Sequence, residues 1–68
     1  MAPQELVRIR EGMGWTQTQA AAKAGVSANT WARWERGEVT PHPLRERDLR
    51  RLLRRAERQV ERRTAKSA

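Results

Sequence analysis

The chain has 68 residues, no cysteine and a formal net charge of +7. A chain of this length forms one small domain that buries only about 60% of its unfolded surface, and without cysteine it has no disulfide, thiolate zinc site or thiol nucleophile. No stretch has the length and apolarity of a membrane helix or a signal peptide. We therefore expect a cytoplasmic protein, and the charge indicates a polyanionic partner.

The first predicted helix opens at Pro3, a residue that suits the first turn of a helix. Gly12 and Gly14 are expected to end it. One face of this helix is apolar at spacings of three and four: Leu6, Ile9 and Met13. Arg10 lies at the edge of that face.

Residues 16–37 predict two short helices joined by a tight turn. The hydroxyl of Thr16 can cap the first helix, which is rich in alanine. Gly25 supplies the permissive backbone that a helix end requires, and Ser27 can cap a second helix over residues 28–36. Two helices of roughly eight residues with a glycine in the turn are typical of a helix-turn-helix, whose second helix enters the DNA major groove.

The last predicted helix runs from Leu44 to about Arg63, after a turn that contains two prolines. Four leucines are expected to close the core: Leu44, Leu49, Leu52 and Leu53. His42 is the single histidine, and we interpret it as a solvated loop residue rather than a metal ligand. Residues 64–68 are expected to be disordered.

A resemblance to a known family rests on three segments and three single residues. The segments are Gly14-Trp15-Thr16-Gln17, Gly25-Val26-Ser27 and Arg33-Trp34-Glu35-Arg36-Gly37, and the single residues are Ala21, Thr30 and Pro41. From Leu6 to about Leu53 the chain resembles the lambda-repressor-like, Cro-type helix-turn-helix proteins, also called the xenobiotic-response-element family. The resemblance implies an all-α fold and a bacterial or phage-encoded protein. The family usually has a fifth helix, which this chain is too short to contain separately, so we expect a compact four-helix domain with a long basic C-terminal helix. We expect the DNA-binding domain over residues 1–55, and a basic helical extension and tail over residues 56–68.

The resemblance also bears on the tryptophans and the alanines. The family usually has smaller aliphatic residues at the positions of Trp15 and Trp31. We expect both indoles in the core, where alanines at positions that usually hold larger residues leave space for them. Trp34 is expected to be half exposed against the following helix. Ala21 lies where a large side chain would push the two short helices apart.

An ion pair between Arg10 and Glu35 is implied by the same resemblance, because the family commonly pairs an arginine near the end of the first helix with this glutamate. We interpret the pair as structural and not catalytic. Removing one partner would strand the charge of the other.

Residue chemistry and the resemblance together predict the DNA contacts. The exposed side chains at the start of the recognition helix reach base edges first, which selects Ala28, Asn29 and Arg33. In the family a glutamine at the position of Gln17 commonly grips the DNA backbone. The full set of expected phosphate contacts is Thr16, Gln17, Gln19, Thr30, Arg36, Thr40 and Arg45. Thr30 is expected to contact either a phosphate or a base.

The arginine-rich last helix has two open interpretations. Residues 44–68 hold ten basic and four acidic side chains, which either solubilise the helix or attract phosphates without sequence preference. Its apolar positions Leu52, Ala56 and Val60 either meet a second copy of the chain in a homodimer or belong to a solvated, basic tail.

The sequence predicts a sequence-specific DNA-binding regulator, a repressor or autoregulator that acts as a dimer on a two-fold operator in double-stranded DNA. The alternatives are an antitoxin-type module that binds a protein partner and its own promoter, and a nonspecific nucleic-acid binder. We expect no enzyme, cofactor or metal site, because the chain lacks a nucleophile with its base, a metal-ligand cluster and a phosphate-binding glycine loop.

Overall fold

The computed structural model of the chain describes the backbone of residues 1–67 and the side chains of residues 1–64. It contains four α-helices in these residues, which confirms the predicted all-α fold: α1 (Pro3–Met13), α2 (Gln17–Ala24), α3 (Ala28–Glu35) and α4 (Pro43–Ser67). The core collects apolar side chains from all four helices: Leu6, Ile9, Ala20, Ala21, Trp31, Trp34, Leu49 and Leu53.

The long helix α4 lies alongside α1 in the same chain direction. The amino group of Met1 is 3.4 Å from the Glu46 carboxylate, and further along both helices Gly12 meets Ala56. At the end of this contact the Arg63 guanidinium donates a hydrogen bond to the carbonyl oxygen of Gly12. The second half of α4 is therefore docked on α1 in the described residues.

Gly12 does not end α1, contrary to the prediction, because Gly14 alone takes the left-handed conformation that closes the helix. Gly12 lies within the last turn and is buried. A Cβ atom added there would lie 2.8 Å from the Cβ of Ala56 and 3.0 Å from its carbonyl oxygen. The glycine thus permits the close approach of α1 and α4.

Three expectations for the core are wrong in detail. Trp34 is only 5% exposed, and its ring centre lies 5.6 Å from that of Trp31, so the two indoles fill the core together. Trp15 is only partly buried, at the edge of the core, where the Lys23 ammonium lies 5.9 Å from its ring centre. Leu44 is 69% exposed.

Leu44 points outward because of helical geometry. The buried residues of α4 recur at spacings of three and four, and position 44 is displaced from Leu49 by about 140° around the axis. Helix α4 also continues further than predicted. The expected disorder is wrong for residues 64–67, whose backbone is helical, and Ala68 lies outside the described residues.

The close contact at Gly12 yields a stability prediction. We expect Gly12→Ala to lower the free energy of unfolding by about 1–3 kcal/mol through overpacking, although alanine favours a helix interior over glycine by about 1 kcal/mol. Urea unfolding measures the change. The double variant Gly12→Ala/Ala56→Gly should lose less stability than the sum of the two single variants, because it removes the clashing Cβ. Unchanged or increased stability of Gly12→Ala would contradict the close approach.

Candidate nucleic-acid interface

Local hydrogen bonds shape the turn between α2 and α3. Gly25 has φ of 75°, the left-handed conformation that closes α2, and the next amide, of Val26, donates to the carbonyl of Ala21 at 3.0 Å. The Ser27 hydroxyl then accepts a hydrogen bond from the amide of Thr30 at 3.1 Å and caps α3. The predicted glycine turn and both predicted caps are therefore confirmed.

Small side chains let α2 and α3 pack closely. Ala20 and Ala21 are both buried. Ala21 is the position at which a large side chain was expected to push the two short helices apart. Their close packing places α3 next to α2 and sets its position relative to the first turn of α2.

Helix α3 has two chemically different faces. Trp31 and Trp34 point into the core, whereas Asn29 and Arg33, four residues apart, are exposed on the opposite side. Ala28 is exposed in the first turn of the helix, so all three predicted base-reading residues are accessible to solvent.

The sequence of the chain matches a known family whose fold agrees with this architecture. The family described as "Helix-turn-helix domain" matches residues 4–65. The chain is a helix-turn-helix protein. This membership agrees with the Cro-type resemblance of the motif at residues 14–37.

A curated relative gives a partial match. The chain is 35% identical over 43 residues to "Antitoxin MqsA" of Escherichia coli (strain K12), a match that covers 63% of this chain and 33% of that protein. The chain thus spans only a third of the relative's length. No solved structure matches the chain significantly.

A carboxylate at the centre of the helix-turn-helix domain joins three helices. Glu35 accepts hydrogen bonds from Arg10 Nε at 2.7 Å and from Arg10 Nη2 at 3.2 Å. It also accepts one from the indole N–H of Trp31 and one from the side-chain amide of Gln17 at 3.3 Å. The expected pair of Arg10 with Glu35 is thus bidentate and extends to the residue expected to grip phosphate.

The surroundings of Glu35 favour its ionised form. Burial acts to raise the pKa of this carboxyl, but the hydrogen bonds from Arg10, Trp31 and Gln17 outweigh it and hold the pKa below its ordinary value. The paired guanidinium of Arg10 has its pKa raised by the hydrogen bond to Glu35. The site is therefore a fixed charge pair at neutral pH.

The first turn of α2 presents two expected phosphate contacts in a reciprocal cap. The Thr16 hydroxyl accepts from the amide of Gln19 at 3.1 Å, and the Gln19 side chain accepts from the amide of Thr16 at 2.9 Å. Both residues are exposed. The cap leaves the side-chain NH₂ of Gln19 available beside Gln17.

The other expected phosphate contacts are dispersed. Thr30 shares a hydrogen bond with the hydroxyl of Ser27 at 2.9 Å, and Thr40 is exposed in the loop before α4. Arg45 donates to the carbonyl of Ala24 at 2.7 Å, so this guanidinium closes the end of α2 in the free chain.

Glu38 lies beside two arginines with expected DNA contacts, Arg33 and Arg36. Its carboxylate is 3.8 Å from Nε of Arg33 and also pairs with Arg36. The hydrogen bond from Arg36 holds the pKa of Glu38 below its ordinary value. A guanine or phosphate must therefore compete with this loop carboxylate for both guanidinium groups.

Sequence reasoning missed two contacts of the site. The bond from Trp31 to Glu35 could have been found from their spacing of four residues, which places them on one helix face. The bond from Gln17 to Glu35 spans 18 positions, and no local pattern indicates it. His42 also has an unexpected role, since its Nδ1 accepts from the amide of Leu44 at 3.2 Å at the start of α4.

The Glu35 cluster predicts a dependence of stability on pH. Because the folded pKa of Glu35 is lowered, its stabilising effect is present above the unfolded pKa and is lost as pH falls through the folded pKa. We expect Glu35→Gln to lower the free energy of unfolding at neutral pH by about 1–3 kcal/mol and to lose less stability than the parent on acidification. Denaturant unfolding at several pH values measures both effects.

The matched control is Glu38→Gln, which removes a carboxylate from an exposed ion pair. This change should cost less stability at neutral pH, since exposed pairs contribute little. Equal losses for the two variants would show that Glu35 does not hold the helices together.

Proposed function

We propose that the chain is a sequence-specific DNA-binding regulator of the cytoplasm, a repressor or autoregulator that binds a two-fold operator. The observation that carries this proposal is the outer face of α3. It presents Asn29 and Arg33 to solvent while two tryptophans anchor the opposite face in the core. The family match supports DNA as the partner.

The exposed side chains of α3 suit base recognition in the major groove. Asn29 can pair with N6 and N7 of adenine, and Arg33 with O6 and N7 of guanine. The methyl group of Ala28 can contact the methyl group of thymine. The half-site should therefore contain an adenine and a guanine.

The first turn of α2 suits a phosphate. Free backbone N–H groups and the positive end of the helix dipole favour an anion there. The Gln17 amide retains one N–H for the phosphate while the other bonds to Glu35. Thr16 and Gln19 flank it, and Thr30, Arg36, Thr40 and Arg45 remain proposed backbone contacts.

A homodimer would supply the specificity that one short recognition helix lacks. Ala56 belonged to the dimer surface that the sequence left as one of two alternatives, but it is buried against α1 and is not available to a second copy. Val60 remains 46% exposed, beside a hollow of about 340 Å³ that Arg8 and Glu57 help to line. We propose Val60 and the partly exposed Leu52 as the apolar positions of α4 that are open to a second copy.

Selection of bound DNA from a random pool at near-physiological salt tests the proposed function. We expect an enriched two-fold site with a fixed spacing between half-sites. A single half-site would contradict dimeric binding, and no enrichment would contradict sequence-specific recognition.

Variants separate base reading from phosphate binding. Asn29→Ala and Arg33→Ala should each cost about 1–3 kcal/mol of discrimination at one base position. Gln17→Ala should instead weaken binding to all sequences about equally. Binding constants for the selected site and for single-base variants of it measure both, with the exposed Arg47→Ala as a charge-matched control for Arg33→Ala. Retained sequence preference in Asn29→Ala/Arg33→Ala would favour the nonspecific binder.

An antitoxin-type function is the second candidate, and the partial match to an antitoxin favours it. In this case the chain would bind a toxin as well as its own promoter. Co-expression with the product of an adjacent reading frame tests it. Relief of that product's toxicity by the chain would support the antitoxin function, and unrelieved toxicity would reject it for that partner.

A further inference from the structure

A groove runs between the end of α2 and one side of α4. It begins as a hollow of about 400 Å³ whose apolar floor includes Ala24 and Leu52. Its lining also carries the basic side chains of Lys23, Arg45, Arg51 and Arg55 and the carboxylate of Asp48, so basic groups outnumber the acidic one. We call this feature the α2–α4 groove. Its combination of a partly exposed apolar floor with a cationic rim distinguishes it from the recognition surface of α3.

The first part of the groove is held in shape by contacts within the chain. Arg45 donates to the carbonyl of Ala24 at 2.7 Å and so ties the start of α4 to the end of α2. On the rim, the Lys23 ammonium lies over the ring of Trp15 at 5.9 Å. The two walls are therefore placed before any partner binds.

The groove continues along α4 as a second hollow of about 200 Å³ between Arg55, Arg58 and Arg62. Together with Arg51 these arginines follow spacings of four, three and four residues, and they form one stripe on the helix. We call these four residues the arginine row. It extends about 16 Å along the axis, at 1.5 Å per residue.

The exposed arginine row faces no carboxylate within ion-pair distance in the part of the chain that the structure describes. Arg10, Arg33, Arg36 and Arg50 each face a carboxylate. By contrast, among the residues that the structure describes, no hydrogen bond or ion pair forms at the guanidinium groups of the arginine row. Like charges at spacings of three and four weaken an isolated helix. An anionic partner along this face would relieve that repulsion.

We propose that the α2–α4 groove binds an acidic polypeptide segment of a partner protein. An apolar side chain of the segment rests on Ala24 and Leu52, and its carboxylates pair with Lys23 and the arginine row. A nucleic-acid backbone fits less well, because its sugars offer the apolar floor only small C–H surfaces between charged phosphates, whereas a leucine-sized side chain covers it. The length of the groove favours an extended or helical segment over a small molecule.

This surface lies apart from the side chains proposed to read bases and from the first turn of α2. It shares two residues with the proposed function, because Arg45 is a proposed phosphate contact that also joins the groove walls and Leu52 is a proposed dimer position. Peptide binding through Lys23 and the arginine row is therefore tested on variants that leave Arg45 and Leu52 unchanged.

The test uses a synthetic peptide of about fifteen residues, with leucines at every third and fourth position and glutamates between them. Two matched peptides replace either the glutamates by glutamine or the leucines by alanine. We expect the first peptide to shift the backbone amide NMR signals of Lys23, Ala24, Leu52 and Arg55, and both matched peptides to bind about tenfold more weakly or worse. Equal binding by either matched peptide would overturn the proposal.

Charge reversal within α4 locates the site. Arg51→Glu/Arg55→Glu should weaken peptide binding about tenfold or more, whereas Arg8→Glu/Arg33→Glu, which makes the same charge change at exposed positions of α1 and α3 outside the groove, should have a much smaller effect. Equal losses in both variants would show attraction to net charge alone. Circular dichroism verifies that each variant is folded.

The DNA-reading variant Asn29→Ala/Arg33→Ala should bind the peptide as the parent does. If a nonspecific DNA duplex shifts the groove signals and the peptide does not, the groove binds nucleic acid and the proposal is wrong. Loss of DNA selectivity with peptide binding intact would leave this proposal standing while the proposed function is tested separately.

Discussion

The carboxylate of Glu35 is the interaction on which the rest of the domain depends. It lies at the end of α3 and accepts hydrogen bonds from Arg10 of α1, Gln17 of α2 and Trp31 of its own helix. A small core provides little apolar burial to fix three helices, so directional bonds to one charge set their relative orientation. A buried charge without partners costs free energy. The hydrogen bonds from its donors therefore hold the recognition helix in position relative to α1 and α2.

This arrangement connects stability with the proposed recognition of DNA. Gln17 is both a donor to Glu35 and the residue at the first turn of α2, where a phosphate would be held. Asn29 and Arg33, which are proposed to read bases, are exposed on a different side of the same helix from Glu35. A preformed site of this kind loses little conformational entropy on binding. The arrangement therefore suits a small domain whose affinity must come from few contacts.

The last helix gives the chain a second chemical character. Its contact with α1 depends on Gly12, where the absence of a side chain admits Ala56. Once this side of α4 is docked, the arginine row is presented on another side, next to the end of α2. The domain thus has two separate polar surfaces. One is built on the short helices, and the other on the helix that braces them.

The sequence by itself determined the short helices and their turn. The caps at Thr16 and Ser27 and the left-handed glycine at position 25 act within about four residues, so local patterns suffice to predict them. Tertiary structure alone decided the partners of distant residues. Gly12 was predicted as a helix end because a glycine's local preference does not reveal what approaches it, and Gln17 finds Glu35 only after α2 and α3 have packed. Leu44 was predicted in the core from its hydrophobicity, but the rotation of α4, set by its contact with α1, directs it to solvent.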